Sequence, residues 1–135
     1  MSYWLFKEEP DHYGFTDLQR DGQTVWDGVS NNLALKHLRQ VKAGDRILFY
    51  HTGKEKAVVG EMKAVGDARP AGDDGKLAVV EVALVRSLPQ PVPLSRIKAD
   101  ASLADFDLVR QSRLSVMLVT VSQWRRIEEL ASEIG

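Results

Sequence analysis

Three strand-forming runs, Arg46–His51, Ala57–Val65 and Leu77–Leu88, constrain the fold more than any other feature of this chain. Each is rich in apolar, aromatic or β-branched residues and lacks helical spacing, and each is bounded by turn-forming residues. Lys42-Ala43-Gly44-Asp45 leads into the first, Thr52-Gly53-Lys54-Glu55 joins it to the second, and Ala71-Gly72-Asp73-Asp74-Gly75 is a flexible loop before the third. The three predict an antiparallel meander, a common route to a small barrel.

The remaining segments fit around that meander. Tyr3–Lys7 predicts a first strand, and Phe15–Leu18 a short helix stopped by the Asp21-Gly22 turn. Val25-Trp26 is a brief extended piece before a turn at Asp27-Gly28. Asn31 or Asn32 caps a helix reaching Val41, with Leu35, Leu38 and Val41 on its buried face. Pro89, Pro91 and Pro93 force extended chain, and Leu94–Ile97 and Leu103–Phe106 form helical turns at most. Leu114–Val121 predicts the last strand. Thr120 and Gln123 then cap a helix whose apolar stripe is Trp124, Ile127, Leu130 and Ile134. The expected class is α+β, a curled antiparallel sheet with peripheral helices, in one domain over residues 1–135.

Composition narrows the chemistry. The chain has no cysteine, which removes disulfides, thiolate nucleophiles and cysteine-based zinc sites and fits a reducing compartment. His12, His37 and His51 have no metal-ligand spacing, so no metal is expected. No basic segment precedes an apolar run at the start, and no apolar stretch nears the ~20 residues that span a bilayer, so a cytoplasmic protein with no membrane partner is expected. The net charge is −1, yet it is unevenly spread. Residues 1–35 carry two basic and six acidic side chains, residues 36–63 seven and three, and residues 94–126 six and three. Such a distribution can build a local positive face on a neutral protein.

Two short motifs carry chemistry. In Trp26-Asp27-Gly28-Val29 a large flat ring is followed by a turn, and glycine lets a ligand approach the backbone closely. An ordinary core position suits that ring as well. In Arg110-Gln111-Ser112-Arg113-Leu114-Ser115-Val116 cationic and hydroxyl side chains alternate with apolar ones. If the Leu114 end is extended, Leu114 and Val116 share one face, and Arg113 and Ser115 the other. Arginine's planar fork suits phosphate, and a serine hydroxyl can pair with a base edge. No nucleophile elbow, phosphate loop or dinucleotide fingerprint is present, so no enzyme and no cofactor are expected.

These residues resemble the EVE domain family. The resemblance rests on Tyr3–Pro10, Trp26–Asn31, Lys42–Asp45 with Phe49-Tyr50-His51, Val58-Val59-Gly60, and Leu108–Val116, and so runs nearly the length of the chain. It implies a PUA-like curled β-barrel, similar to the YTH domains that read methylated adenine. It also implies a non-catalytic binder of DNA or RNA carrying a modified base. By that resemblance Trp26 walls the base pocket, with Asp27, Gly28, Val29 and Leu114 beside it. Asn31, Tyr50, His51, Ser112, Arg113 and Ser115 line or flank it, and Lys7 sits at its mouth near a phosphate. Lys36, Arg39, Arg110 and Arg113 are the expected backbone contacts. They would equally serve a PUA-like RNA-binding module without preference for modification. A nucleotide-directed enzyme is the remaining alternative. The chain departs from the common family pattern at Glu8, Ser30, Asn32, Leu33 and Leu35, which adds an acid and removes cations near the phosphates.

Overall fold

The computed structural model describes residues 1–133. Ile134, expected on the last apolar stripe, lies outside the described residues. Seven strands form the sheet framework: β1 (Tyr3–Glu8), β2 (Gln23–Trp26), β3 (Arg46–His51), β4 (Ala57–Ala64), β5 (Arg69–Ala71), β6 (Leu77–Pro93) and β7 (Val116–Val119). Around them lie α1 (Pro10–Tyr13), α2 (Phe15–Asp21), α3 (Asn32–Leu38), α4 (Leu94–Lys98), α5 (Asp107–Arg110) and α6 (Val121–Ser132), with a 3₁₀ turn at Ala101–Leu103.

The strand order is β2-β6-β4-β3-β1-β7, with β5 paired to β6. The meander of β3, β4 and β6 is antiparallel as expected. The α+β class and the curl hold, but the sheet is mixed, because β1 lies parallel to β3 and antiparallel to β7. A parallel neighbour needs a long crossover, and residues 9–45, which contain α1, α2, β2 and α3, supply it. The sheet path is open, and α3 contacts both β6 and β7 across the curl. Register shifts at Phe49/Tyr50, Val58/Gly60 and Glu61/Met62 place bulges in the central strands, and bulges increase local twist. Gly60 serves a second purpose there: a Cβ at this position would lie 2.1 Å from Phe15 Cζ, so only glycine admits the Phe15 ring of α2 against β4.

Several boundaries differ from expectation. β6 does not stop at Leu88 but continues through all three prolines to Pro93. Proline is compatible with extended backbone wherever the ladder does not need its missing N–H. α3 ends at Leu38 rather than Val41, with Arg39 as its cap. The last strand begins at Val116, not Leu114. The Leu114 N–H closes a turn onto the Gln111 carbonyl at 3.1 Å, so residues 111–114 fold into a loop and the expected two-faced strand does not exist there. α1 and β5 were not anticipated. A proline at the first helical position, here Pro10, is the usual signature of a helix start.

Two buried carboxylates tie the elements together. Asp45 accepts from the Ser2 N–H (2.9 Å), the Trp4 indole N–H (2.9 Å) and the Lys42 N–H (3.0 Å). Burial alone would raise its pKa. The N–H donors of Ser2, Lys42 and Trp4 and the charged N-terminus outweigh that and hold it below the ordinary value. Glu61 on β4 is 1 % exposed. It accepts two bonds from Arg46 (2.7 and 3.0 Å) and one from Arg86 (3.0 Å), and Arg86 also donates to Glu128 on α6 (2.9 Å). The Arg46 guanidinium lies 4.9 Å from the Trp124 ring centroid and 5.9 Å from that of Tyr3. The capping box of Thr120 and Gln123 starts α6, and Trp124, Ile127 and Leu130 are buried as its stripe predicts.

Replacing Glu61 by Gln should destabilise the fold by about 3 kcal/mol, because two arginines then face a neutral amide. A urea melt at pH 7 measures this. Asp45 contributes stability above its unfolded pKa of about 3.9, and loses it as pH falls through its lower folded value. Asp45→Asn should therefore lower stability at pH 7 and flatten its decline below pH 4, read by thermal melts across that range.

Candidate functional site

Three hollows lie near the residues singled out by sequence. The first, of about 210 Å³, is walled by Glu8, His12, Tyr13, Thr24, Trp26 and Asp27. The second, of about 220 Å³, lies between β1, β3, the turn after β3, α4 and α5, and includes Lys7, Tyr50 and Ser112. The third, of about 370 Å³, is lined by Asn31, Leu33 and the Arg110–Leu114 loop. The expected pocket residues are thus divided among three sites rather than gathered in one. The reason is strand geometry: successive side chains point to opposite faces. Lys7 and Glu8 adjoin on β1 yet enter different hollows. Tyr50 and His51 adjoin on β3 and also part company, Tyr50 into the second hollow and His51 against Phe15 and Phe49.

Trp26 is 4 % exposed. Its ring packs against Phe6 and Phe49, with centroids 5.4 and 5.3 Å away, and the residue lines the first hollow. That hollow is bordered by Glu8, α1 and β2, not by Ser112, Arg113 or Ser115. Gly28, at φ +77°, makes the turn that ends this wall, and Val29 is buried in the core. Tyr13, which donates to Asp21 at 2.9 Å, and His12, whose Nδ1 is 3.2 Å from Glu8 Oε2, close the far side. The site is therefore small and rich in acceptors. Sequence reasoning missed His12, Tyr13 and Thr24; the helix-starting Pro10 was the available signal for the first two.

The third hollow carries two arginines. Arg110, Gln111, Ser112 and Arg113 are exposed, and neither arginine has an ion-pair partner among the described residues. Asn31 spends its side-chain oxygen capping α3 through the Ala34 N–H (3.0 Å), which leaves its amide NH₂ as a donor. Lys36 lies one turn beyond Leu33 on the same helix face. Leu114 is buried at the floor. Ser115 contributes its backbone carbonyl, which accepts from the Lys7 N–H at 2.9 Å, and lines none of the three hollows. Arg39 is elsewhere: it donates to the Lys76 carbonyl and lines a hollow beside Arg69 and Pro70.

His51 is committed to the fold. Its Nε2 accepts from the Phe15 N–H at 3.0 Å, and its Nδ1 lies 2.6 Å from Glu55 Oε1, an arrangement that requires the proton on Nδ1. Among the described residues there is no cluster of His, Asp or Glu that could hold a metal, and no helix long and apolar enough to cross a membrane. His51→Ala should cost about 1–3 kcal/mol in a denaturant melt, since it leaves the buried Phe15 N–H unpaired.

Comparison with known proteins places this architecture. Mouse thymocyte nuclear protein 1 is 30% identical over 91% of this chain and 70% of its own length. The solved structure of human THYN1 in complex with DNA containing 5-methylcytosine superposes with a TM-score of 0.92 at 27% identity, covering 100% of both chains. A crystal structure of a protein from Pseudomonas putida matches with a TM-score of 0.90 at 35% identity, over 96% of this chain and 99% of the other. The likeness in fold extends to the YTH domain of a Zygosaccharomyces rouxii protein solved with N6-methyladenosine RNA, at 16% identity and a TM-score of 0.61, over 99% of this chain and 88% of that one. The EVE domain model matches residues 2–130, and the chain belongs to the EVE domain family.

Proposed function

We propose that this chain, as one EVE module over residues 1–135, is a non-catalytic reader of a modified base in nucleic acid and works in a reducing compartment such as the cytoplasm. The observation that carries this reading is the match along the whole chain to human THYN1, whose structure holds DNA containing 5-methylcytosine. The hollow beside Trp26 would take the base, and the Arg110–Arg113 loop with Lys36 the flanking phosphates.

The physical chemistry assigns different work to each part. Stacking a base on an aromatic ring is worth ~1–3 kcal/mol, but Trp26 offers little free surface. Burying one methyl adds only ~0.8 kcal/mol, about fourfold in affinity. Extruding a base from a duplex costs a few kcal/mol. Stack and methyl together barely offset that cost, so phosphate contacts must supply the remainder. Base choice then falls to hydrogen bonds. Glu8 and Asp27 at the hollow are acceptors, which suits the exocyclic amine of cytosine or adenine. In this reading the Glu8 carboxylate meets a base amine rather than a phosphate.

Fluorescence anisotropy with paired oligonucleotides, one containing 5-methylcytosine and one unmodified, tests the reading. The modified strand should bind more tightly. Glu8→Gln should shrink that preference. Arg113→Gln should weaken both strands alike and reduce the salt slope by about one. Equal affinity for both strands in the unaltered protein would replace the reader with an RNA-binding module indifferent to modification.

A further inference from the structure

The second hollow has a chemistry that the base-reading site does not use. The geometry points to a binding site for the phosphate group of a phosphate ester there, formed by Lys56, Lys98, Tyr50 and Thr52 with Lys7 at its inner wall. The inference deepens the nucleic-acid reading where the ester belongs to a strand. It stands by itself where the ester is a free small molecule.

Four observations converge. Three lysines border one hollow of about 220 Å³ that has no acidic side chain in its wall. None of the three forms an ion pair among the described residues, and the acid preceding Lys56, Glu55, is taken by His51 at 2.6 Å. Lys7 is half-buried; its Nζ donates to the Ser112 carbonyl at 3.0 Å and lies 5.6 Å from the Tyr50 ring centroid. Burial lowers its pKa, and an anion beside it would oppose that shift.

The hydroxyls point the same way. Tyr50 is 3 % exposed yet lines the hollow, and its hydroxyl has no hydrogen-bond partner among the described residues. Burial pushes that phenol up to about 12, so it stays a donor at neutral pH. Thr52 lines the same hollow, and its Oγ1 is buried without a partner. The Thr52 hydroxyl, buried without a partner beside three lysines, is costly unless an acceptor joins it, and the Tyr50 hydroxyl is free to donate. Phosphate oxygens accept from both groups.

Backbone geometry supports a built site. Lys56 has φ +46°, a left-handed conformation uncommon for a residue with a side chain. Its carbonyl is fixed by the Leu94 N–H at 2.8 Å, which holds the turn against α4. Such strain concentrates where a ligand is gripped. The opposite wall is apolar, with Leu94 and Leu108, and suits the organic body of an ester rather than a bare ion.

The test is amide NMR of the whole chain, titrated with inorganic phosphate. Saturable shifts should appear at Tyr50, Thr52 and Lys56. Tyr50→Phe and Lys98→Gln, neither of which removes an observed contact, should each weaken phosphate about tenfold. Lys63→Gln, an exposed β4 position that lines none of the hollows, should leave it unchanged. No saturable shift, the same affinity in both hollow variants and the unaltered protein, or loss in Lys63→Gln overturns the proposal. Thymidine monophosphate and a 5′-hydroxyl oligonucleotide then separate the sources: tighter binding of the first marks a free ester, of the second a strand phosphate. Phosphate binding without any preference for 5-methylcytosine would sink the reader while keeping this site, and the reverse result would do the opposite.

Discussion

The Glu61 carboxylate is the contact on which the arrangement of the sheet and its last helix depends. It sits on β4, opposite Arg86 of β6 in register and diagonal to Arg46 of β3, so one buried charge links the three central strands. Arg46 then stacks on Trp124, and Arg86 reaches Glu128, both on α6. A charge this deep is costly unless several donors surround it. Three hydrogen bonds from two guanidinium groups meet that condition. The network sits among the central strands, while β1, β2 and the far end of β3 line the first two hollows.

Alternation along β1 and β3 decides how those hollows differ. β1 delivers a lysine to one face and a glutamate to the other within two residues. β3 does the same with a tyrosine and a histidine. The result is an acceptor-rich hollow beside Trp26, a lysine- and hydroxyl-rich hollow beneath α4, and an arginine-bearing loop that shares Ser112 with the latter. A nucleic acid carries acceptors along its backbone and amine donors on some base edges. A surface that separates cations from carboxylates can engage both kinds of group without placing an acid against a phosphate.

Much of the fold was legible in the sequence. β3 was bounded to the residue, and β4 to within one, because a dense apolar run between glycine turns has few alternatives. The capping box at Thr120 and the helix stop at Gly22, with φ +75°, followed from local chemistry alone. Trp26, Gly28 and Asn31 were recognisable as a special segment, and their structural roles were within reach: the turn and the cap were expected, and a core position was one of two readings for the tryptophan. The tryptophan is mostly core, the glycine makes a turn, and the asparagine caps a helix. His51 looked like a pocket residue and is instead the anchor of the α2 start.

What the sequence determined by itself was most of the elements, their order and the family, since capping, turn formation and strand alternation act over a few residues and leave a direct trace in composition. Only the tertiary structure decided that β1 pairs in parallel with β3, that residues 111–114 fold into a turn, and that Lys56, Lys98 and Tyr50 line one hollow. Those outcomes depend on contacts between segments tens of residues apart. They are settled by which pairing buries the most apolar surface and leaves the fewest polar groups unpaired, and no local pattern encodes that choice.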